Sequence, residues 1–183
     1  MPGSVSLLLA SILSLSPLIA HPAVPHVPSR LPQFEASMLT RSDRRVRTTN
    51  GRIHQLLADG VTRSRTFAGL VAALNHTDVI VYIEVVPDLP GSIAGRLLLV
   101  PLANAQRYLR IQIQPEAVSR DAIALIGHEL RHALEIAAEP HVRDQRGMIE
   151  LYRRIGKPSL GLHQYDTIEA QSAGRQVRAE LAS

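Results

Sequence analysis

The chain has 183 residues and a mass of 20.0 kDa, which suits one domain with tails and excludes two full-sized ones. Hydrophobic residues at 45% and charged residues at 20% exclude wholesale disorder, and the lack of cysteine excludes disulfides, thiolate metal ligands and thiol nucleophiles. Aromatics at 3% leave little stock for a base-stacking surface, and a net charge of +4, with Lys157 the one lysine among arginines, permits anionic partners without specifying any.

Residues 1–20 carry no Asp, Glu, Lys, Arg or His. The run Val5–Leu15 is apolar apart from serines, and Pro17 follows it. It is too short for a membrane span and reads as an export signal, with Leu18-Ile19-Ala20 as the cleavage site. The expectation is an exported chain, periplasmic or secreted, with no stable membrane span once the signal is removed. His21–Pro32 contains Pro22, Pro25, Pro28 and Pro32 and reads as an extended linker. Arg41, Arg44, Arg45 and Arg47 extend it, so that residues 21–50 form one Pro/Arg-rich segment. Four arginines without interleaved aromatics suit a solvated helix face better than a nucleic-acid patch, and no specific nucleic-acid partner is expected.

The folded part is expected from residue 51 to residue 183. Two short helices come first, Ile53–Ala58 closed by Gly60 and Ser64–Leu74 with Phe67, Leu70, Val71 and Leu74 on one face. Three strands follow: Val79–Val86, ended by Pro87, then Gly95–Pro101 and Tyr108–Gln114. In the last, Leu109, Ile111 and Ile113 alternate with polar residues, which predicts one buried face. A long helix is predicted from Pro115 to Ala138, another over Val142–Ile155 before Gly156, and a final one over Thr167–Leu181. Helices, three strands and more helices make an α+β fold, a small three-stranded sheet packed on the long helix.

That long helix contains His128-Glu129-Leu130-Arg131-His132, an HExxH motif. At the helical period the two histidines stand about 40° apart and one turn from each other, so both can reach one ion. Glu129 is close enough to meet a water on that ion without being a ligand. The apolar residues Ile123, Ile126, Leu130, Ala133, Leu134 and Ala137 lie on the opposite side, which turns the histidines towards a cleft. Gly127 costs about 1 kcal/mol of helix propensity, which points to another element passing close.

Two histidines need a third protein ligand and an open position. Glu135 and Ala138 stand where a metzincin would have Gly and His, which excludes that variant. Asp166 and Glu169, at the start of the last helix, are the acidic candidates. The same two residues also fit an N-cap and its capping-box partner without any metal. Glu135 is either an acceptor behind a ligand histidine or surface charge. His141, His163, Tyr152 and Tyr165 are candidates for oxyanion stabilisation.

His128–Glu135 resembles the active helix of zincin metallopeptidases of gluzincin type. The region Val79–Val177 also resembles a group of small exported bacterial proteins, through Val79–Val86, Arg107–Ile111, His128–Glu135, Leu151–Gly156, Tyr165-Asp166-Thr167 and Gly174. The resemblance implies a zincin-like catalytic domain over 51–183, a Zn2+ cofactor, and a peptide or protein substrate. It implies His128, His132 and Asp166 as ligands and Glu129 as general base, Asp166 matching a position typically held by Glu. It also implies that Tyr108–Gln114 is the edge strand that holds extended substrate. A non-catalytic exported binding protein, with a structural metal or none, is the alternative reading.

Overall fold

The computed structural model describes residues 44–89, 93–100, 106–119, 121–158 and 165–183. The export-signal reading, most of the linker reading, Arg41 and His163 fall outside them.

The first helix, α1 (Gly51–Arg63), starts at Asn50, whose side chain accepts from the backbone N–H groups of Arg52 and Ile53. Its buried residues Ile53, Leu56 and Gly60 follow the helical period. Gly60 does not close this helix, as expected from the sequence, but lies inside it. A Cβ there would stand 2.8 Å from the Phe67 ring and 2.9 Å from Ile123, so the glycine permits a close approach. Helix α2 (Arg65–Leu74) is capped by Ser64, which accepts from Phe67 N, and buries Phe67, Leu70 and Leu74.

Four strands build the main sheet: β1 (Val46–Arg47), β2 (Val79–Val85), β3 (Gly95–Val100) and β4 (Arg107–Ile113), in the order β1-β2-β4-β3. β1 and β4 flank β2 in parallel, and β3 pairs antiparallel with β4. Register sets Val81 beside Leu109 and Ile83 beside Ile111 on the face that joins the core. The α+β class is as expected, but the sheet has four strands rather than three. The extra strand comes from the segment read as linker, so Arg47 sits on a strand and not on a helix face. A second correction concerns Tyr108–Gln114: it forms an interior strand, paired on both sides, and the edges of the sheet are β1 and β3.

The long helix is also shorter than expected. Pro115–Ala117 forms a 3-10 turn, and α3 runs Ala122–Ala137. Helix α4 (Gln145–Ile155) begins after Asp144, which accepts from Gly147 N. A two-stranded ribbon, β5 (Lys157–Pro158) with β6 (Tyr165–Asp166), leads into α5 (Ile168–Ala182). Among the described residues this makes five helices, and none is long and apolar enough to cross a membrane.

α3 is the centre of the fold. Ile123, Ile126, Leu130 and Ala133 are fully buried in a core shared with Phe67, Val81, Leu109 and Ile111. Each such large apolar side chain contributes about 1.5–3 kcal/mol by leaving water. α5 covers another side of α3, and Gly127 leaves room for it: a Cβ there would meet Val177 at 3.0 Å. At its C-terminal end α3 is held by Arg107, 4% exposed. Arg107 donates to the carbonyls of Ile136, Ala137, Glu139 and Val142 and, through two nitrogens, to the Asp78 carboxylate at 2.7 and 2.8 Å. Orphan carbonyls of a helix end and a buried cation thus satisfy one another. Asp78 is correspondingly held below the usual carboxylate range, chiefly by its hydrogen bond from Arg107.

Candidate metal centre

α3 presents His128 and His132 one turn apart, and β6 brings Asp166 against both. Asp166 Oδ1 lies 3.5 Å from His128 Nε2 and 3.4 Å from His132 Nε2. All three ligand atoms are within 4.8 Å of one another, and the group can hold a metal ion. In a tetrahedral site with bonds of about 2.0–2.1 Å, ligand atoms stand about 3.4 Å apart, so both histidine–carboxylate separations fit. Asp166 Oδ1 is buried and has no hydrogen-bond partner, whereas Oδ2 accepts from Gln171 Nε2 at 3.0 Å. A buried acceptor without a donor is costly, and a cation between it and two imidazole nitrogens removes that cost.

The approach of α5 depends on Gly174. A Cβ there would stand 3.3 Å from His128 Cβ and 3.4 Å from the Ala124 carbonyl. The helices therefore meet at the first candidate ligand itself. The backbone of Ala170 in α5 favours the protonated form of the His128 ring, but does not decide its state. Its pKa is lowered, first by burial and then by the neighbouring His132, which keeps the ring neutral and able to bind a cation.

His132 is more enclosed. Its Nδ1 lies 2.8 Å from Glu135 Oε2, and with the carboxylate accepting there, Nδ1 carries the proton and the neutral ring keeps its lone pair on Nε2. Burial disfavours the charged ring, but the Glu135 bond and the charges of Glu129, Glu135 and Asp166 outweigh it, so its pKa is raised. Tyr152 packs edge-on against the same ring, with centroids 5.2 Å apart, and donates its hydroxyl to the His132 carbonyl. That hydroxyl is already committed, and Tyr152 is not a free oxyanion donor. His141 is exposed beside Glu139, and Tyr165 is half-buried next to Asp166.

Glu129 is buried, 6% exposed, and is not one of the ligand group. Desolvation pushes its carboxyl up to about 7; His132 pulls the other way and Asp166 adds to the rise. It is therefore able to take up or release a proton near neutral pH.

The capping alternative for Asp166 does not hold. The N-cap of α5 is Thr167, whose side chain accepts from Ala170 N, and Asp166 precedes it in β6. Glu169 is exposed in the first turn and outside the ligand group. Contrary to the expected cleft, the histidine side of α3 is largely covered: His132, Glu129 and Glu135 are all buried. Two cavities, of about 220 and 230 Å³, lie near Arg63 and Arg178 and beside Arg131 and Glu135. Neither is lined by the three ligand residues, which reach solvent through the part-exposed His128 and Asp166.

Sequence reasoning did not identify Arg107 or Thr167 as supports of this site. An arginine in phase with Leu109, Ile111 and Ile113, on the apolar face of its strand, was the available signal for the first, and a threonine next to the acidic candidate was the signal for the second. No protein-family model matches the chain, and neither a curated protein nor a solved structure matches it.

Proposed function

We propose that the chain is an exported zinc-dependent hydrolase of zincin type that cleaves peptide bonds. The observation that carries this reading is the buried, donor-less Asp166 Oδ1 facing two imidazole nitrogens on an HExxH helix. His128 Nε2, His132 Nε2 and Asp166 Oδ1 would hold the ion and leave a fourth position open. A bound zinc supplies Lewis acidity there, acidifying water and polarising a carbonyl oxygen.

The remaining chemistry belongs to the chain. Glu129 takes a proton from the attacking water and passes it to the departing nitrogen as the C–N bond breaks. Its raised pKa suits both halves of that transfer, since the carboxyl is neither a strong acid nor permanently protonated near pH 7. β3, at one edge of the sheet among the described residues and in contact with α3, is the strand on which an extended peptide can pair. Export rests on the apolar, uncharged residues 1–20.

The test is metal analysis of the full chain purified without added metal, joined to cleavage of a casein-like substrate with and without chelator. Glu129→Gln is expected to keep the metal and lose at least about a hundredfold in rate. His128→Ala and His132→Ala are each expected to lose the metal. Stoichiometric zinc in either alanine variant overturns the ligand set, and wild-type turnover by Glu129→Gln overturns the role of the base. A second reading, a metal-stabilised binding domain without turnover, is favoured by the burial of Glu129 and His132. It predicts stoichiometric zinc together with no chelator-sensitive cleavage.

A further inference from the structure

We infer that Glu135 sets the metal affinity of this centre by positioning two of its three ligands at once, with Thr167 as its partner. The inference rests on the metal-site reading above.

The Glu135 side chain is 7% exposed, and both of its oxygens are engaged. Oε2 accepts from His132 Nδ1 at 2.8 Å, which fixes the ring plane and keeps the Nε2 lone pair turned towards Asp166. Oε1 accepts from the Thr167 hydroxyl at 2.7 Å. Thr167 is held a second time, because its oxygen accepts from Ala170 N as the cap of α5. Asp166 is therefore confined between a doubly anchored Thr167 and the β5–β6 ribbon, where its partner is Lys157. One carboxylate thus joins the helix that carries the histidines to the corner that carries the acid. Arg131 Nε stands 3.7 Å from Oε1, an ion pair beyond hydrogen-bond distance, so it adds charge attraction without fixing the orientation of the carboxylate.

Glu135 touches neither the ion's position nor a substrate and is a positioning residue; so is Thr167. Variants at these two positions separate their role from simple stabilisation of the fold. Zn2+ affinity of the full chain, measured by competition with a chromogenic chelator, is expected to fall 10- to 100-fold in Glu135→Gln. Thr167→Val is expected to weaken Zn2+ binding by a smaller factor, and Thr167→Ser to restore the wild-type value. In an Asp166→Asn background, Thr167→Val should add no further loss, while Glu135→Gln still should, through His132. Metal-free unfolding in chelator is measured on the same chains. Variants that lose stability there but keep wild-type Zn2+ affinity overturn the inference and leave the metal reading standing. A wild-type chain that takes up no Zn2+ overturns both. Should Glu135→Gln not fold, the threonine pair decides alone: equal affinities for Val and Ser overturn the inference.

Discussion

α3 meets two buried polar networks, and they differ in kind. At its C-terminal end, Arg107 finds an acceptor for each of its three nitrogens among four carbonyls and a carboxylate. About one to two turns earlier, the network around Asp166 has an oxygen with no donor and two ring nitrogens turned towards it. A satisfied network rigidifies a fold, whereas one left with converging acceptors is unfavourable until a cation enters. The first therefore fixes where the helix ends, and the second is where chemistry is expected.

The comparison can be broken most forcefully at Arg107. Arg107→Ala leaves Asp78 and the helix carbonyls unmatched and is expected to cost about 3–5 kcal/mol in denaturant unfolding. The loss should be the same with zinc and with chelator. A loss confined to the zinc-loaded chain would contradict the purely structural role given to this network.

Glu129 sharpens the contrast from the other side. Its carboxyl is raised from 4.5 to about 7 by burial. Below pH 4.5 it is protonated both folded and unfolded and costs nothing. As pH rises through this window the unfolded chain releases the proton and the folded chain keeps it, so stability falls and then levels off above 7. In chelator, Glu129→Gln should therefore gain on wild type between those pH values, by up to about 3 kcal/mol. A gap that stays constant with pH would refute the shift.

Zinc itself comes next. At a hundredfold excess over its dissociation constant it should stabilise wild type by about 2.7 kcal/mol. Asp166→Asn should show much less stabilisation at the same zinc concentration. The smallest effect serves as a control far from the site: Asn50→Ala, which removes the cap of α1, should cost about 1 kcal/mol and leave zinc binding unchanged.

Much of the fold was legible because periodicity is local. The apolar stripe of α3 and the alternation of Leu109, Ile111 and Ile113 both lie on the buried face that their spacing implies. Gly127 was read as a close approach, and Val177 is what approaches. Gly60 misled for the same reason that Gly127 did not. A glycine signals either a helix end or a tight contact, and only the tertiary partners Phe67 and Ile123 decide which. β1 was missed because two residues carry no period, and its pairing with β2 spans 35 positions. The edge strand was misplaced because strand order depends on pairings that no local pattern encodes. At the third ligand, Asp and Thr are both good caps and stand side by side, so the sequence left cap and ligand unresolved. The Thr167–Ala170 hydrogen bond separates them.

Asp166 lies far downstream of both histidines, on the corner that leads into the last helix. During synthesis from the N-terminus, the two imidazoles leave the ribosome well before the acid that completes the cage. Until then a cation meets two donors on a helix whose covering partner, α5, has not yet been made. If this centre takes up an ion, all three candidate ligands can meet it only after residue 166 has been made, late in maturation.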